Sequence, residues 1–377
     1  MSRLSLRREL ADLLERVGKE LFVRTEPRTT FKDLVQALLG EVPRKNSWQL
    51  AECAGHPTAH RIEWLLSGAK WDADRLRDIV YSYVMDHLAA DRGLFIIQEL
   101  QILKKGDRSV GVARQGCGDR GPTQNCQVAV MLAYASFGVR PFVDRELYLP
   151  RFWAEDSVRC RRAGVPMPPG AHRTKPELVA EMLTRAIDSR TPFSYVVGGA
   201  TYGTDPRLRK MLHDRGVSYV MAIPPDFLPD APVVSAAGSF QRSRGKASPQ
   251  TLQFIQCENG DRVSFASSPF PRESRAEGYV HGVLSVQVGR SAGDRYCFLV
   301  HCRKETPVAE LASAAAAHLA SEHPENGSSD LSGLDQYQVR KWVPWYRHVT
   351  TCMLASAFSA VCASSRNENR PEHRQAV

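Results

Sequence analysis

The apolar residues of this chain change their spacing near residue 90, which limits it to a fold joining a helical segment to a sheet. From Leu4 to about Leu88 they recur at helical spacing, as at Leu10, Leu13, Leu14 and Val17, with charged residues between them. Residues 1–90 are therefore expected to form an all-helical N-terminal domain. From Gly93 short apolar runs take over: Leu94 to Ile97, Ser109 to Ala113, Val128 to Ala135, Val139 to Leu147 and Phe193 to Val197. A helix from near Pro176 towards Ile187 precedes the last of them. Successive strands followed by alternating helix and strand fit an α/β fold (α+β overall), with helices packed on a mixed sheet, over residues 91–214.

Residues 215–307 read as a β-rich insertion, with runs at Tyr219 to Ile223, Leu252 to Cys257, Val263 to Ala266, Val283 to Val288 and Tyr296 to His301. Residues 308–363 return to the core as helix. Ala309 to about Ser321 is alanine-rich, and Trp345 to Ala363 places Val349, Met353, Leu354 and Phe358 near one face. Between these helices, Pro324 to Asp330 holds too many turn residues to continue a helix. The polar stretch 364–377 is expected to be a disordered tail.

A chain of 377 residues can bury a full core in two or three domains. Fifty Lys plus Arg against 41 Asp plus Glu give a net charge of +9, a modest bias towards polyanions. The nine cysteines show neither C-x-x-C nor a His/Cys set of zinc-site pattern, so reduced thiols and no metal site are expected. No apolar run approaches membrane-spanning length, and the charged start is unlike a signal region. The expectation is a cytoplasmic protein with no membrane partner. Ser-His-acid spacing and a phosphate-cradling glycine loop are both missing.

Within the helical segment, Trp48 to Leu66 has the rhythm of a helix-turn-helix. Ala51 allows close helix packing, Gly55 permits the turn and Thr58 is placed to cap the second helix. His60 and Arg61 would then face DNA. The same residues also suit an ordinary helical hairpin with a solvated polar face. Lys104, Lys105, Arg108 and Arg114 form one basic cluster, and Arg159, Arg161 and Arg162 another; phosphate contact and plain solvation are both open to them. So it is for Arg242, Arg244 and Lys246 in the loop from Ala236, which reads equally as a DNA grip or a hairpin tip.

Leu94-Phe95-Ile96-Ile97-Gln98-Glu99-Leu100-Gln101-Ile102-Leu103-Lys104-Lys105-Gly106 resembles the first catalytic strand of insertion-sequence DDE transposases, in the group numbered seven-oh-one. Further fragments follow in family order. They are Asn125-Cys126-Gln127, Asp144 to Pro150, Thr174 to Leu178, Tyr202-Gly203 with Asp205 to Arg209, and Gly333 to Arg340. The resemblance implies a ribonuclease-H-like fold, DNA as partner, and Arg340 among the DNA-facing residues. In the family the strand reads I-D-E-T-G-x-L-K-K-G, and its aspartate, which holds two magnesium ions, is here Gln98. The second aspartate precedes a Tyr-Gly pair as x-G-D-E-x-Y-G; here it is Gly199, and the glutamate is Ala200. The third carboxylate falls at Glu322, where the R-W-x-I-E signature has become His318, Leu319 and Glu322, and the following lysine Ser329.

Two-metal phosphoryl transfer needs carboxylates that hold two cations about 4 Å apart. Magnesium prefers hard anionic oxygens, and a glutamine offers one neutral carbonyl while a glycine offers none. The ancestral magnesium site is therefore expected to be lost, leaving no cofactor. Glu99 should face away from the old site, because successive strand side chains alternate. Asp205 reads as a helix N-cap before Pro206. His318, Glu322 and His323 could make a metal or acid-base site if the helix persists, since His318 and Glu322, four apart, would share a helical face. Two functions are consistent with this pattern. One is a transposase-derived DNA-binding protein without strand cleavage, and a homodimer is compatible with it. The other is an enzyme remade in the old cleft, acting on a small molecule.

Overall fold

The computed structural model describes residues 3–116, 123–166, 172–224, 227, 233–234, 240–241, 251–256, 262–267, 278–287, 295–322, 332–336 and 339–367. The chain opens with five helices, α1 (Arg3–Leu21), α2 (Thr25–Leu39), α3 (Ser47–Cys53), α4 (His60–Ser67) and α5 (Ala73–Leu88). Asn46 starts α3 by accepting from the backbone N–H of Trp48 and Gln49, and Asp72 starts α5 by accepting from Asp74. Next come β1 (Leu94–Leu103), β2 (Ala113–Gln115), β3 (Gln124–Ala135), β4 (Phe142–Leu147), α6 (Arg151–Glu155), α7 (Ser157–Ala163) and α8 (Lys175–Asp188). They are followed by β5 (Tyr195–Gly198), α9 (Ala200–Gly203), α10 (Pro206–Asp214), β6 (Tyr219–Ile223), β7 (Val233–Val234), β8 (Phe240–Gln241), β9 (Thr251–Gln256) and β10 (Arg262–Ser267). The last elements are β11 (Tyr279–Gln287), β12 (Arg295–Arg303), α11 (Val308–Glu322) and α12 (Trp342–Asn367).

One mixed sheet runs β2-β3-β1-β5-β6-β12-β11-β10-β9, with β4 also paired to β3; β7 and β8 form a separate ribbon. The strands β1, β5 and β6 are parallel, and β3 and β4 are antiparallel additions. This is the ribonuclease-H-like arrangement, extended on its β6 side by the later strands. The interior position of β3, between β1 on one side and β2 and β4 on the other, fits its composition, since nine residues from Cys126 to Tyr134 are buried in succession, as on a strand covered on both faces. Each fully buried Val, Leu or Met side chain there contributes about 1.5–3 kcal/mol. Helices α8 and α10 lie on one face of the sheet and α11 on the other, where His318 meets Phe298.

Four sequence expectations need correction. The run from Ser109 is a turn, with Gly111 at φ +72 and the Val110 N–H bonded to the Arg340 carbonyl, so the strand begins only at Ala113. Tyr219–Ile223 belongs to the core and not to the insertion, because β6 pairs in parallel with β5 through Val196↔Tyr219. Thr58 does not cap α4, whose N-cap is Ala59 in a helical conformation without a side-chain bond. Residues 364–367, assigned to a disordered tail, continue α12, where the Ser364 and Ser365 hydroxyls bond back to the Val361 carbonyl.

The N-terminal helices do not fold around a core of their own alone. Helix α12 packs on α5, α2 and α4, and one continuous apolar cluster runs from Leu13 to Cys362. Arg347 of α12 donates to the Trp71 carbonyl at 2.7 Å and the Leu66 carbonyl at 3.2 Å while lying over the Trp71 ring.

Candidate active site and nucleic-acid interface

Strand β1 decides what the old cleft contains. Its register with β5 pairs Leu94 with Tyr195 and Ile96 with Val197, and Gly199 follows the end of β5 as the N-cap of α9. Gly198 lies close against Ile97, where a Cβ would come within 3.0 Å of the Ile97 side chain. On the opposite side, Gln98 Nε2 donates to the Ser321 carbonyl at 3.1 Å, at the end of α11 and next to half-buried Glu322. The fold thus places Gln98 against the end of α11 that carries Glu322.

Glu99 points the other way, as alternation requires. Its carboxylate is buried and takes a 2.6 Å ion pair from Lys175 and a 2.8 Å hydrogen bond from the Tyr202 hydroxyl. Asp205 accepts from Leu208 N–H at 2.7 Å and caps α10, with Pro206 following. Neither carboxylate serves the cleft. Gln98, Gly199 and Glu322 offer one carboxylate, one amide and no third side chain. That donor set does not fit a pair of magnesium ions. His318 is turned into the core, where burial holds its imidazole down to about 4, so it makes no acid-base pair with Glu322. His323 and the segment from Pro324 to Asp330 lie outside the described residues.

The Asp144-Arg145-Glu146 fragment has a structural task. Arg145, fully buried, donates to Asp74 of α5 at 2.7 Å and to the Thr350 hydroxyl of α12 at 2.9 Å. Arg185 of α8 pairs with Asp144 at 2.9 Å, and the Tyr346 hydroxyl donates to Glu146 at 2.8 Å. Burial raises the Glu146 carboxyl above its ordinary range despite Arg145 beside it.

The basic residues are disposed along linked segments. His60 and Arg61 are exposed at the start of α4, while Ile62, Leu65 and Leu66 face the core. Just ahead of α3, the Lys45 N–H donates to Gln336 Oε1 at 2.7 Å, tying this helix pair to the 332–336 segment. Lys45 also packs where a Gly333 side chain would stand. The Arg340 carbonyl accepts from Val110, and the Lys104 N–H bonds to the Asn125 carbonyl; Asn125 in turn pairs across β2 with Arg114. Lys105, Arg114 and Arg340 are exposed. Lys104 is half-buried, and burial lowers its ammonium to about 8 against the opposing pull of Asp335. Arg159 is committed elsewhere, stacked 3.7 Å over Trp153 and bonded to the Asp107 carbonyl. Arg242, Arg244 and Lys246 lie outside the described residues. Sequence patterning missed Lys45, whose role depends on a contact 291 positions away. Among the described residues no helix is long and apolar enough to cross a membrane.

Comparison with known proteins agrees with this geometry. Residues 16–253 match the family described as DDE superfamily endonuclease, more than half of the chain. A relative from Microchaete diplosiphon, "Probable transposase for insertion sequence element IS701", is 26% identical over 206 residues, covering 54% of this chain and 51% of its own length. The chain thus spans about half the length of that relative. The sheet order and the family match over more than half of its length together place the chain in the DDE superfamily endonuclease family.

Proposed function

We propose that this protein is a transposase-derived DNA-binding protein that does not carry out two-metal DNA cleavage and strand transfer. The observation that carries the reading is the pairing of an amide at Gln98 and a bare backbone at Gly199 with an exposed basic run outside the cleft. Cleavage chemistry lacks its metal ligands, whereas phosphate contact needs only accessible cations. Arg61, Lys105, Arg114 and Arg340 supply such cations, with exposed His60 beside Arg61, and their segments are linked through Lys45, Gln336 and Val110. Lys104, half-buried, is a lesser contributor than Lys105.

The test uses the full chain with duplex DNA carrying candidate element ends. With magnesium or manganese present, no nicked or joined product is expected, and Glu322→Ala should change nothing. Binding should weaken with rising salt, and Lys105→Ala or Arg114→Ala should reduce the logarithmic salt slope by about one unit each. Metal-dependent nicking lost in Glu322→Ala would overturn the catalytic half of the proposal. Absence of binding at low salt would overturn the other half. Turnover of a small molecule, abolished by Gln98→Ala, would favour the remade-enzyme reading instead.

A further inference from the structure

Far from the cleft, three histidines with no short sequence spacing meet at the start of β6. Tyr219, His301 and His281 stand side by side across β6, β12 and β11, in the register Tyr219↔His301 and His281↔His301. Paired residues of neighbouring strands share a face, and this is the face on which α10 lies. His213, near the end of α10, completes the group. Its ring centroid is 4.4 Å from that of His301 and 4.8 Å from that of His281, and the two strand rings are 4.6 Å apart. One ligand nitrogen from each of the three lies within 4.8 Å of the others.

His301 is 0% exposed, and neither of its ring nitrogens has a hydrogen-bond partner. A buried polar group left without a partner costs free energy, so its presence requires an explanation. We propose that His213, His281 and His301 bind a divalent transition-metal ion, Zn2+ being the best match. Three imidazoles with one open position form a familiar zinc donor set, and imidazole also suits Co2+ and Ni2+. The Tyr219 hydroxyl sits 3.0 Å from His213 Nε2, and Tyr279 stacks on His301 at 4.8 Å; both orient the rings. An ion held here would clasp α10, in the ribonuclease-H-like core, to the strands that extend the sheet. Nothing in this site depends on DNA binding or on the cleft.

Untagged full-length protein, stripped with chelator and dialysed, should be titrated with Zn2+ by calorimetry and with Co2+ by visible absorption. The expected result is one Zn2+ per chain, a Co2+ spectrum of low-coordinate nitrogen type, and a higher unfolding midpoint with one equivalent of Zn2+. His213→Gln changes a half-buried helix residue and should keep the far-ultraviolet dichroism while weakening Zn2+ by more than about tenfold. His301→Ala should abolish binding. Folded wild-type protein that takes up no stoichiometric Zn2+ would overturn the proposal. Wild-type affinity in His213→Gln would do the same.

Discussion

Successive side chains of β1 enter opposite worlds: Gln98 meets the end of α11, whereas Glu99 meets Lys175 and Tyr202 beneath α8. Gln98 is thus neutral, while its neighbour carries a charge that has a structural partner. Lys175 is only 17% exposed, so removing the charge of Glu99 strands an ammonium with little water around it. Glu99→Gln is expected to cost about 3 kcal/mol in urea unfolding, as for other broken buried pairs. A loss below about 1 kcal/mol, the size of an exposed pair, would show that water screens this one.

At the level of elements, the α3–α4 pair carries the proposed DNA contact of His60 and Arg61. Gly55 turns the chain at φ +73, a conformation that a residue with a Cβ adopts only with strain, and Ala51 is buried where the helices approach. The buried Ile62, Leu65 and Leu66 fix the rotation of α4, which leaves His60 and Arg61 outside. Arg61→Ala should leave the unfolding midpoint unchanged, since the side chain is exposed. It should weaken DNA binding by about 1–3 kcal/mol if the guanidinium reads a base edge. Anisotropy titrations of the two proteins at one salt concentration make the comparison, and equal affinities would remove α4 from the interface.

For the molecule as a whole, α12 is the clamp between the helical segment and the sheet, through Arg347 on one side and Tyr346 and Thr350 on the other. Its His348 is buried against the Gly333 carbonyl, and burial pushes that imidazole down to about 3; His318 of α11 is likewise held to about 4. Both have folded values below the ordinary 6.5, so between these limits the unfolded chain binds more protons than the native one. Their stabilising effect is fully present above about pH 6.5 and is lost as pH falls towards their folded values. Two groups together give a slope of about 2.7 kcal/mol per pH unit near pH 5. Urea unfolding at a series of pH values should show at least this slope, and replacing His318 by Leu should lower it by about 1.4 kcal/mol per pH unit. A stability independent of pH between 6 and 4 would contradict the burial of these rings.

Local patterns determined much of this protein before any contact was known. The switch of apolar period separated the helices from the strands, Pro176 marked the start of α8 and the Asp205 cap that of α10, and alternation along β1 set Gln98 and Glu99 on opposite faces. These features depend on a few neighbouring residues, so they are written in the chain itself. Tertiary structure decided the rest. Tyr219–Ile223 has the composition of any short strand, and only its parallel register with β5 makes it part of the core. Gly111 was hidden among apolar neighbours, and the bond from Val110 to Arg340 shows why the chain turns there. His213, His281 and His301 are scattered in sequence and become neighbours only when β6, β12 and β11 align. Strand register and helix docking arise from burial summed over residues far apart along the chain, and short-range spacing carries no record of that sum.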